Sequence, residues 1–374
     1  MPARRVSRRN IDVLWLQVAA ALVFLALPAA GQDAASQIQT EINRLQQALS
    51  STPASVPGFP PDLKSQVGKQ LESAAEAARA GQLYLSLERL APVPDLLSGI
   101  REVSEKSGTE KVDMPAFEAE WGKTSVELTA LEQKTRAHSW DSAPAAIRAL
   151  AEAAQGKAIP LLDGGRGFAT ALGPREGLFY VGQAQGEAEF AQFCAALNLP
   201  RRQAPLALRS MLPELESLQE KTNAAFQPPR SVDLHPQFIV LNSALKLAEE
   251  LDAGRFYAGA FYEYLESLLQ YGLLDAPALT AAQQSEVQAA VAAARQKLAG
   301  SGRDDSLAEL FLERAESHVA RAGGPTPSED DWRRAKLIVD QVLPAYFAAL
   351  KASVPLEQAS AGRVEITLVR WPYT

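Results

Sequence analysis

Residues 63–90 read LKSQVGKQLESAAEAARAGQLYLSLERL, and this stretch is the clearest indication of the fold class that we expect for the chain. Its first half carries apolar residues at the spacing of one helical face, namely Val67, Leu71, Ala74 and Ala78. Gly81 interrupts the pattern, and leucines resume at positions 83, 87 and 90 before Pro92 and Pro94. Because glycine often ends a helix and proline stops one, the stretch predicts an antiparallel pair of helices.

The same helical periodicity runs through most of the chain. An upstream helix is indicated by Ile38, Ile42, Leu45 and Leu49, and the prolines between positions 53 and 61 end it. Further helical patterns cover residues 114–136, 143–172, 176–198, 205–226, 236–252, 255–273, 278–299, 304–322 and 328–352. β-branched residues are sparse and alanine is abundant, which favours helices that approach closely. We therefore expect an all-α fold, either a helical-hairpin array (an α-α superhelix) or an irregular helical bundle.

Three joints between these helices share a glycine, at Gly81, Gly254 and Gly323. After the first two, an aromatic residue opens the next helix, and a Leu-Glu pair follows a few residues later. Residues 168–184 carry a related fragment with Phe168-Ala169, Pro174 and the run YVGQA. These features resemble the joints of tetratricopeptide-type repeat proteins. The resemblance implies an array of helical hairpins that binds a protein or peptide on a concave face, without catalytic residues. Ordinary glycine capping in an irregular bundle would explain the same joints.

The first 31 residues have the pattern of an export signal. Four arginines precede an apolar run at 13–27, and small residues at 29–31 offer a cleavage site after Gly31. The stretch Ser7-Arg8-Arg9-Asn10-Ile11 resembles a twin-arginine signal, but Asp12 breaks the pattern and favours general secretion. Gln17 and Pro28 disfavour an uncleaved membrane anchor, and no later apolar segment is long enough to span a membrane. We expect a periplasmic or secreted protein.

Charge and cysteine content argue against a nucleic-acid partner and against a disulfide within the chain. The net charge is −7, and removing the arginine-rich leader makes the chain more acidic, which argues against binding nucleic acid. The single cysteine, Cys194, cannot form an internal disulfide. We expect a helix and proline-rich linker over 32–61 and a helical domain over 62–362. That domain is either continuous or split near 137–142 or 227–236.

The C-terminal residues 363–374 differ from the rest of the chain. They read RVEITLVRWPYT, and the alternation of Val364, Ile366 and Leu368 predicts an extended strand. A strand needs a partner for its backbone groups. Either the tail packs across the helices and covers the core, or it pairs with a sheet edge of another protein, with Trp371 as anchor.

A dense aromatic stripe follows one predicted helix. Its members are Tyr257, Phe261, Tyr264, Leu268 and Tyr271, and Phe256 and Tyr262 lie off that line. The helix is therefore apolar around much of its circumference, so it is either surrounded by other helices or lines a groove. The candidate binding residues from the sequence are Phe256, Tyr257, Tyr262, Tyr264, Ile366, Leu368 and Trp371.

Motifs for catalysis, cofactors and metals are missing from the sequence. The three histidines are scattered, and Ser243-Ala244-Leu245-Lys246 matches a Ser-x-x-Lys motif without its companion motifs. We therefore expect no catalytic residues, cofactor or metal site. The sequence favours an exported scaffold or binding module for a protein or peptide of the cell envelope. The alternatives are a hydrolase of cell-wall or extracellular polymer, with carboxylates from separate helices, and a carrier with an apolar cavity near residues 257–271. Two facing carboxylates of raised pKa in a cleft would favour the enzyme.

Overall fold

The computed structural model describes residues 33–53, 59–106, 112–199, 204–228, 232–299, 302–324 and 328–351. Over these residues the chain is helical, with no strand beyond an isolated bridge between Ala204 and Arg303. The all-α prediction is confirmed. The helices are α1 (Ala34–Ser51), α2 (Leu63–Arg79), α3 (Leu83–Leu90), α4 (Pro92–Lys106), α5 (Met114–Ala137), α6 (Ala145–Ala171), α7 (Pro174–Ala196), α8 (Leu212–Ala225), α9 (His235–Ala253), α10 (Tyr257–Leu273), α11 (Ala281–Ala299), α12 (Ser306–Ala322), α13 (Glu329–Leu337) and α14 (Leu343–Lys351). No helix in these ranges has the length and apolarity to cross a membrane.

The periodicity located most of these helices, and three expectations need correction. Pro92 begins α4 instead of ending helical structure, because the first helical residue has no partner for an N–H group. The pattern at 205–226 predicts a helix that begins too early. Leu206 and Leu208 are two residues apart, as in an extended segment, and α8 begins only at Leu212. The long helix expected at 328–352 contains a π-helical turn at Ile338–Val342, between α13 and α14.

The predictions for the two ends of the chain are not tested by the structure. The export signal predicted at residues 1–31 and the strand predicted at residues 363–374 both lie outside the described residues. Both stay predictions.

The hairpin of α6 and α7 lies at the centre of the fold. Helix α7 packs along α4 and α5, α6 packs against α10, and α10 pairs with α9. Helix α12 contacts α3 and α6 and pairs with α13. One continuous cluster of buried apolar side chains extends from Ile38 in α1 to Ala349 in α14. It includes residues on both sides of the candidate boundaries at 137–142 and 227–236.

Glycines allow α7 to touch the backbone of α4. A Cβ atom on Gly186 would lie 2.2 Å from the carbonyl oxygen of Pro94 and 2.3 Å from Cα of Asp95. One turn earlier, a Cβ on Gly182 would lie 2.4 Å from the α4 backbone. Contacts this short exclude any side chain, so only glycine permits the spacing. The close approach brings Asp95 of α4 near Glu187 of α7.

The three glycine joints differ in geometry. Gly81 has a φ of +75°, as a glycine that ends a helix in a left-handed turn does. In the second joint Gly254 keeps a negative φ, and the positive φ of 63° falls on the next residue, Arg255. Gly323 has a φ of −86°. The similarity of the joints in sequence therefore does not place glycine at one common turn position.

Four helices that begin without a capping side chain of their own are capped from elsewhere in the chain. They are α3, α6, α8 and α10. In each, a buried carboxylate of another helix or its preceding loop accepts a backbone N–H near the start, where such groups lack partners. The pairs are Leu85 N–H with Glu313 at 2.8 Å, Ala145 N–H with Asp304 at 2.7 Å, Met211 N–H with Asp252 at 2.7 Å and Gly259 N–H with Glu152 at 2.9 Å. We call these four contacts the distant caps.

One distant cap makes stability depend on pH. Burial raises the pKa of Glu313 to about 8 from 4.5, although the Leu85 N–H opposes the rise. The folded chain thus holds this proton more tightly than the unfolded chain, so the free energy of unfolding falls as the pH rises from 4.5 through about 8. Glu313→Gln keeps an acceptor oxygen and removes the charge. We expect E313Q to match the unsubstituted protein near pH 5 and to exceed it by roughly 1–3 kcal/mol near pH 9, measured by urea unfolding.

Glu313→Ala is the control for this prediction, because it removes the acceptor as well as the charge. We expect E313A to be destabilised at both pH values. An advantage of E313Q that does not change with pH would contradict the assignment of this titration to Glu313.

Candidate functional site

A central cavity of about 750 Å³ opens between six helices, α3, α4, α6, α7, α9 and α10. Acidic side chains line one part, and apolar and aromatic side chains line another. The only lysines in its lining are Lys157 of α6 and Lys246 of α9. The cavity therefore combines an acidic region with an apolar wall.

The acidic region contains three carboxyl groups around one ammonium group. Asp95, Glu187 and Glu263 come from α4, α7 and α10, and Lys157 comes from α6. Lys157 Nζ lies 3.1 Å from Glu263 Oε1. Glu187 is only 6 % exposed and makes no hydrogen bond or ion pair with any described residue. Asp95 Oδ1 is also buried without a hydrogen-bond partner. Two carboxyl groups of the cavity thus keep free acceptor atoms.

Two acids of this region, Asp95 and Glu187, have pKa values shifted so that the neutral, protonated form is favoured. Burial raises the pKa of Asp95 above its usual range, although the backbone N–H of Leu96 and the charge of Lys157 oppose the change. Burial likewise raises the pKa of Glu187; the charge of Lys157 opposes the change, and the negative charges of Asp95 and Glu263 add to it. Burial alone would lower the pKa of Lys157, but Glu263 and Glu187 outweigh it and the pKa rises. The ammonium group therefore stays charged while the two carboxyl groups compete for protons.

A second charged group closes another side of the cavity. The guanidinium of Arg314 pairs with Glu88 at 2.9 Å and contacts Glu266 directly. The hydroxyl of Tyr262 donates to Glu88 Oε1 at 3.0 Å. Burial is the main reason why the pKa of Tyr262 is raised, so its hydroxyl keeps the proton. Glu88 and Glu266 thus have a cation in direct contact, which Asp95 and Glu187 lack.

The apolar wall is built mainly by α6, α7 and α9. The rings of Phe168 and Tyr180 stack in parallel with centroids 4.3 Å apart. Leu161 and Leu247 add aliphatic surface, and Phe168 is 38 % exposed. At the rim, Lys246 pairs with Glu250 at 3.7 Å, so these two charges balance.

Of the binding residues predicted from the sequence, the structure brings one to this cavity. Tyr262 is buried and lines it. Phe256 is buried beside α9, with the Arg136 guanidinium 4.3 Å from its ring centroid. Tyr257 and Tyr264 are half-buried and lie outside the cavity lining. The residues Ile366, Leu368 and Trp371 lie outside the described part of the chain.

The binding residues predicted from the sequence do not include the acids of the cavity. Glu187 lies in line with Gln183, Phe190 and Cys194, at spacings of four, three and four residues along a buried face of α7. A charged residue within an apolar stripe of this kind is a signal of a buried functional group. Glu263 gives the same signal between two tyrosines in α10. Asp95 gives none, because it stands in the first turn of a helix, where acids are common.

Within the described ranges, no group of three or more His, Cys, Asp or Glu side chains is placed to hold a metal ion. Comparison of the chain with protein-family models, with curated proteins and with solved structures found no match.

Proposed function

We propose that this chain is an exported binding protein that holds a small molecule in its central cavity. The observation that carries the proposal is the cavity itself, about 750 Å³ between six helices, with unpaired polar groups beside an apolar wall. Protein cavities that bind small ligands typically measure about 300–1,000 Å³ and combine apolar lining with a few polar groups. A site between helices of a bundle is a common place for such a ligand.

The cavity and the helix packing bear on two expectations from the sequence, the apolar carrier and the helical-hairpin array. The cavity lies beside α10, where the sequence suggested a carrier, but acidic groups replace the purely apolar lining expected there. Helices α4 and α7 pack together although other helices separate them in the chain, which supports an irregular bundle over a linear array. A protein or peptide partner and cleavage after Gly31 remain part of the proposal.

Native mass spectrometry tests the proposed function. The dialysed full-length chain is incubated with a small-molecule extract of the cells that naturally make it. We expect a bound species of defined mass, because the cavity is preformed. Ala244→Trp places a large ring in the cavity lining and should abolish this species. The same spectrum gives the mass of the chain, which begins at Gln32 if the export signal has been removed.

Ala282→Trp is the matched control, because Ala282 is exposed on α11 and is not part of the cavity lining. We expect this variant to bind like the unsubstituted chain. If the unsubstituted chain binds nothing, or if A244W binds equally well, the cavity is not a binding site and the proposal is wrong.

Hydrolysis is a second candidate function, and one observation favours it. Asp95 and Glu187 meet from separate helices in one cavity, and both have a raised pKa, as a pair of acid and base catalysts often has. The same extract distinguishes the two functions. A binding protein returns its ligand unchanged, whereas a hydrolase converts a component of the extract into products over time.

A further inference from the structure

We infer that the ligand of this cavity carries a primary ammonium group attached to an apolar or aromatic body. The inference rests on the proposed function and names the chemical class of the ligand. The ammonium group would lie between Asp95 and Glu187, and its body would lie against Phe168 and Tyr180. Three features of the cavity support this arrangement.

The first feature is the balance of charge. In the acidic region Asp95, Glu187 and Glu263 face a single lysine, Lys157. Each other side of the cavity carries its own cation, Arg314 for the pair Glu88 and Glu266 and Lys246 for Glu250. With three carboxyl groups to one lysine, the acidic region has the largest excess of acids in the cavity lining, and a bound cation would offset the charges of Asp95 and Glu187 as they lose their protons.

The second feature is the set of free acceptors. Glu187 is more than nine-tenths buried, lines the cavity and has no partner among the described residues. Asp95 also lines the cavity, and its enclosed Oδ1 has no hydrogen-bond partner among the described residues. An ammonium group has three N–H donors and no acceptor, so it can serve both carboxylates at once. A neutral alcohol offers one donor, and a carboxylate ligand would meet like charge.

The third feature is the apolar wall. The stacked rings of Phe168 and Tyr180 present aromatic surface to the cavity, and Leu161 and Leu247 extend it. A bare metal cation would leave this surface without contact, and no metal-binding group is present among the described residues. An amine with an apolar body fits both parts of the cavity.

Isothermal titration calorimetry of the full-length chain tests the inference. The probes are 2-phenylethylamine and hexylamine, the neutral analogues 2-phenylethanol and 1-hexanol, and the anion hexanoate. We expect each amine to bind at least roughly tenfold more tightly than its alcohol, and the anion not to bind. Amine binding should also release protons, because a neighbouring positive charge lowers the pKa of Asp95 and Glu187. Titration in two buffers with different heats of ionisation measures this release.

Glu187→Gln should remove most of the preference for amine over alcohol. The variant is expected to fold, since it replaces an unpaired buried acid by a neutral side chain of the same shape, and thermal unfolding checks this. Glu313→Gln is the matched control, because Glu313 is also buried with a raised pKa but lies outside this cavity. We expect E313Q to keep the preference.

Lysine amide with a blocked α-amino group distinguishes two sources of the ammonium group. Binding of this probe beside the simple amines assigns the site to a lysine side chain of a protein or peptide, and its failure assigns the site to free amines. Equal binding of amines and alcohols, or an unchanged preference in E187Q, would overturn the inference. The proposed function would survive that result if the cell extract still supplied another ligand that A244W fails to bind. If neither amines nor any extract component bind, both proposals fail.

Discussion

Replacing Gly186 by alanine should unfold the protein at markedly lower urea concentration. The new methyl group would lie 2.2 Å from a carbonyl oxygen of α4 and 2.3 Å from Cα of Asp95, and backbone cannot move aside as a flexible side chain can. Helix α7 must then separate from α4 along the interface that holds Asp95 beside Glu187. We expect a loss of about 3 kcal/mol or more in the free energy of unfolding, measured by circular dichroism in urea.

The control for this prediction is Gly167→Ala in α6. A Cβ on Gly167 meets nothing within 4 Å, and alanine favours a helix more than glycine does, so this variant should gain about 0.5–1 kcal/mol. We also expect G186A to lose binding in the cavity at urea concentrations where it is still folded, because Asp95 has moved. If both substitutions stabilise the protein, α4 and α7 do not pack as closely as described.

Asp304→Ala should lower the free energy of unfolding by more than the loss of an exposed helix cap does. Asp304 is 4 % exposed and accepts from Ala145 N–H at 2.7 Å and from Ser306 N–H at 3.2 Å. Removing the carboxylate leaves two buried backbone donors without partners, and each costs about 1–3 kcal/mol. We expect a total loss of roughly 2–4 kcal/mol by urea unfolding, with Asp304→Asn intermediate because it keeps one acceptor oxygen.

Asp113→Ala provides the comparison. Asp113 accepts from Ala116 N–H at 2.9 Å at the exposed start of α5, where water can replace the carboxylate. This loss should cost about 1 kcal/mol. Equal effects of D304A and D113A would show that burial and distance add nothing to the cap at Asp304.

The sequence predicts the helices well because their positions depend on local spacing. The stripe of Val67, Leu71 and Ala74 is buried in α2 as the spacing requires, and Gly81 takes the left-handed conformation after it. The prediction that Pro92 ends helical structure is wrong because proline both ends helices and begins them, and the sequence alone does not distinguish the two roles. The joint after α9 is a second example. Its glycine suggests that Gly254 has the positive φ, but Arg255 has it instead.

The cavity depends on contacts that local spacing does not encode. Asp95 and Glu187 are brought together by the absence of a side chain at Gly186, and that glycine looks like any other within a helix. Glu263 and Lys157 pair across two helices, so neither residue signals the other in the sequence. The proposed site therefore combines buried charged groups with an apolar wall, and the sequence pattern does not predict this combination. Of the aromatic binding residues predicted from the sequence, Tyr262 is the one that lies in the cavity lining.

The distant caps also constrain when the protein can fold during its synthesis. Leu85 and Glu313 are 228 positions apart, and Ala145 and Asp304 are 159 apart. On a ribosome, α3 and α6 therefore emerge long before the side chains that complete their first turns. Contacts so far apart in sequence form late and slow the search for the folded state. In a nascent chain these two caps therefore form only after most of the chain has been made, and until then the first turns of α3 and α6 lack their distant carboxyl partners.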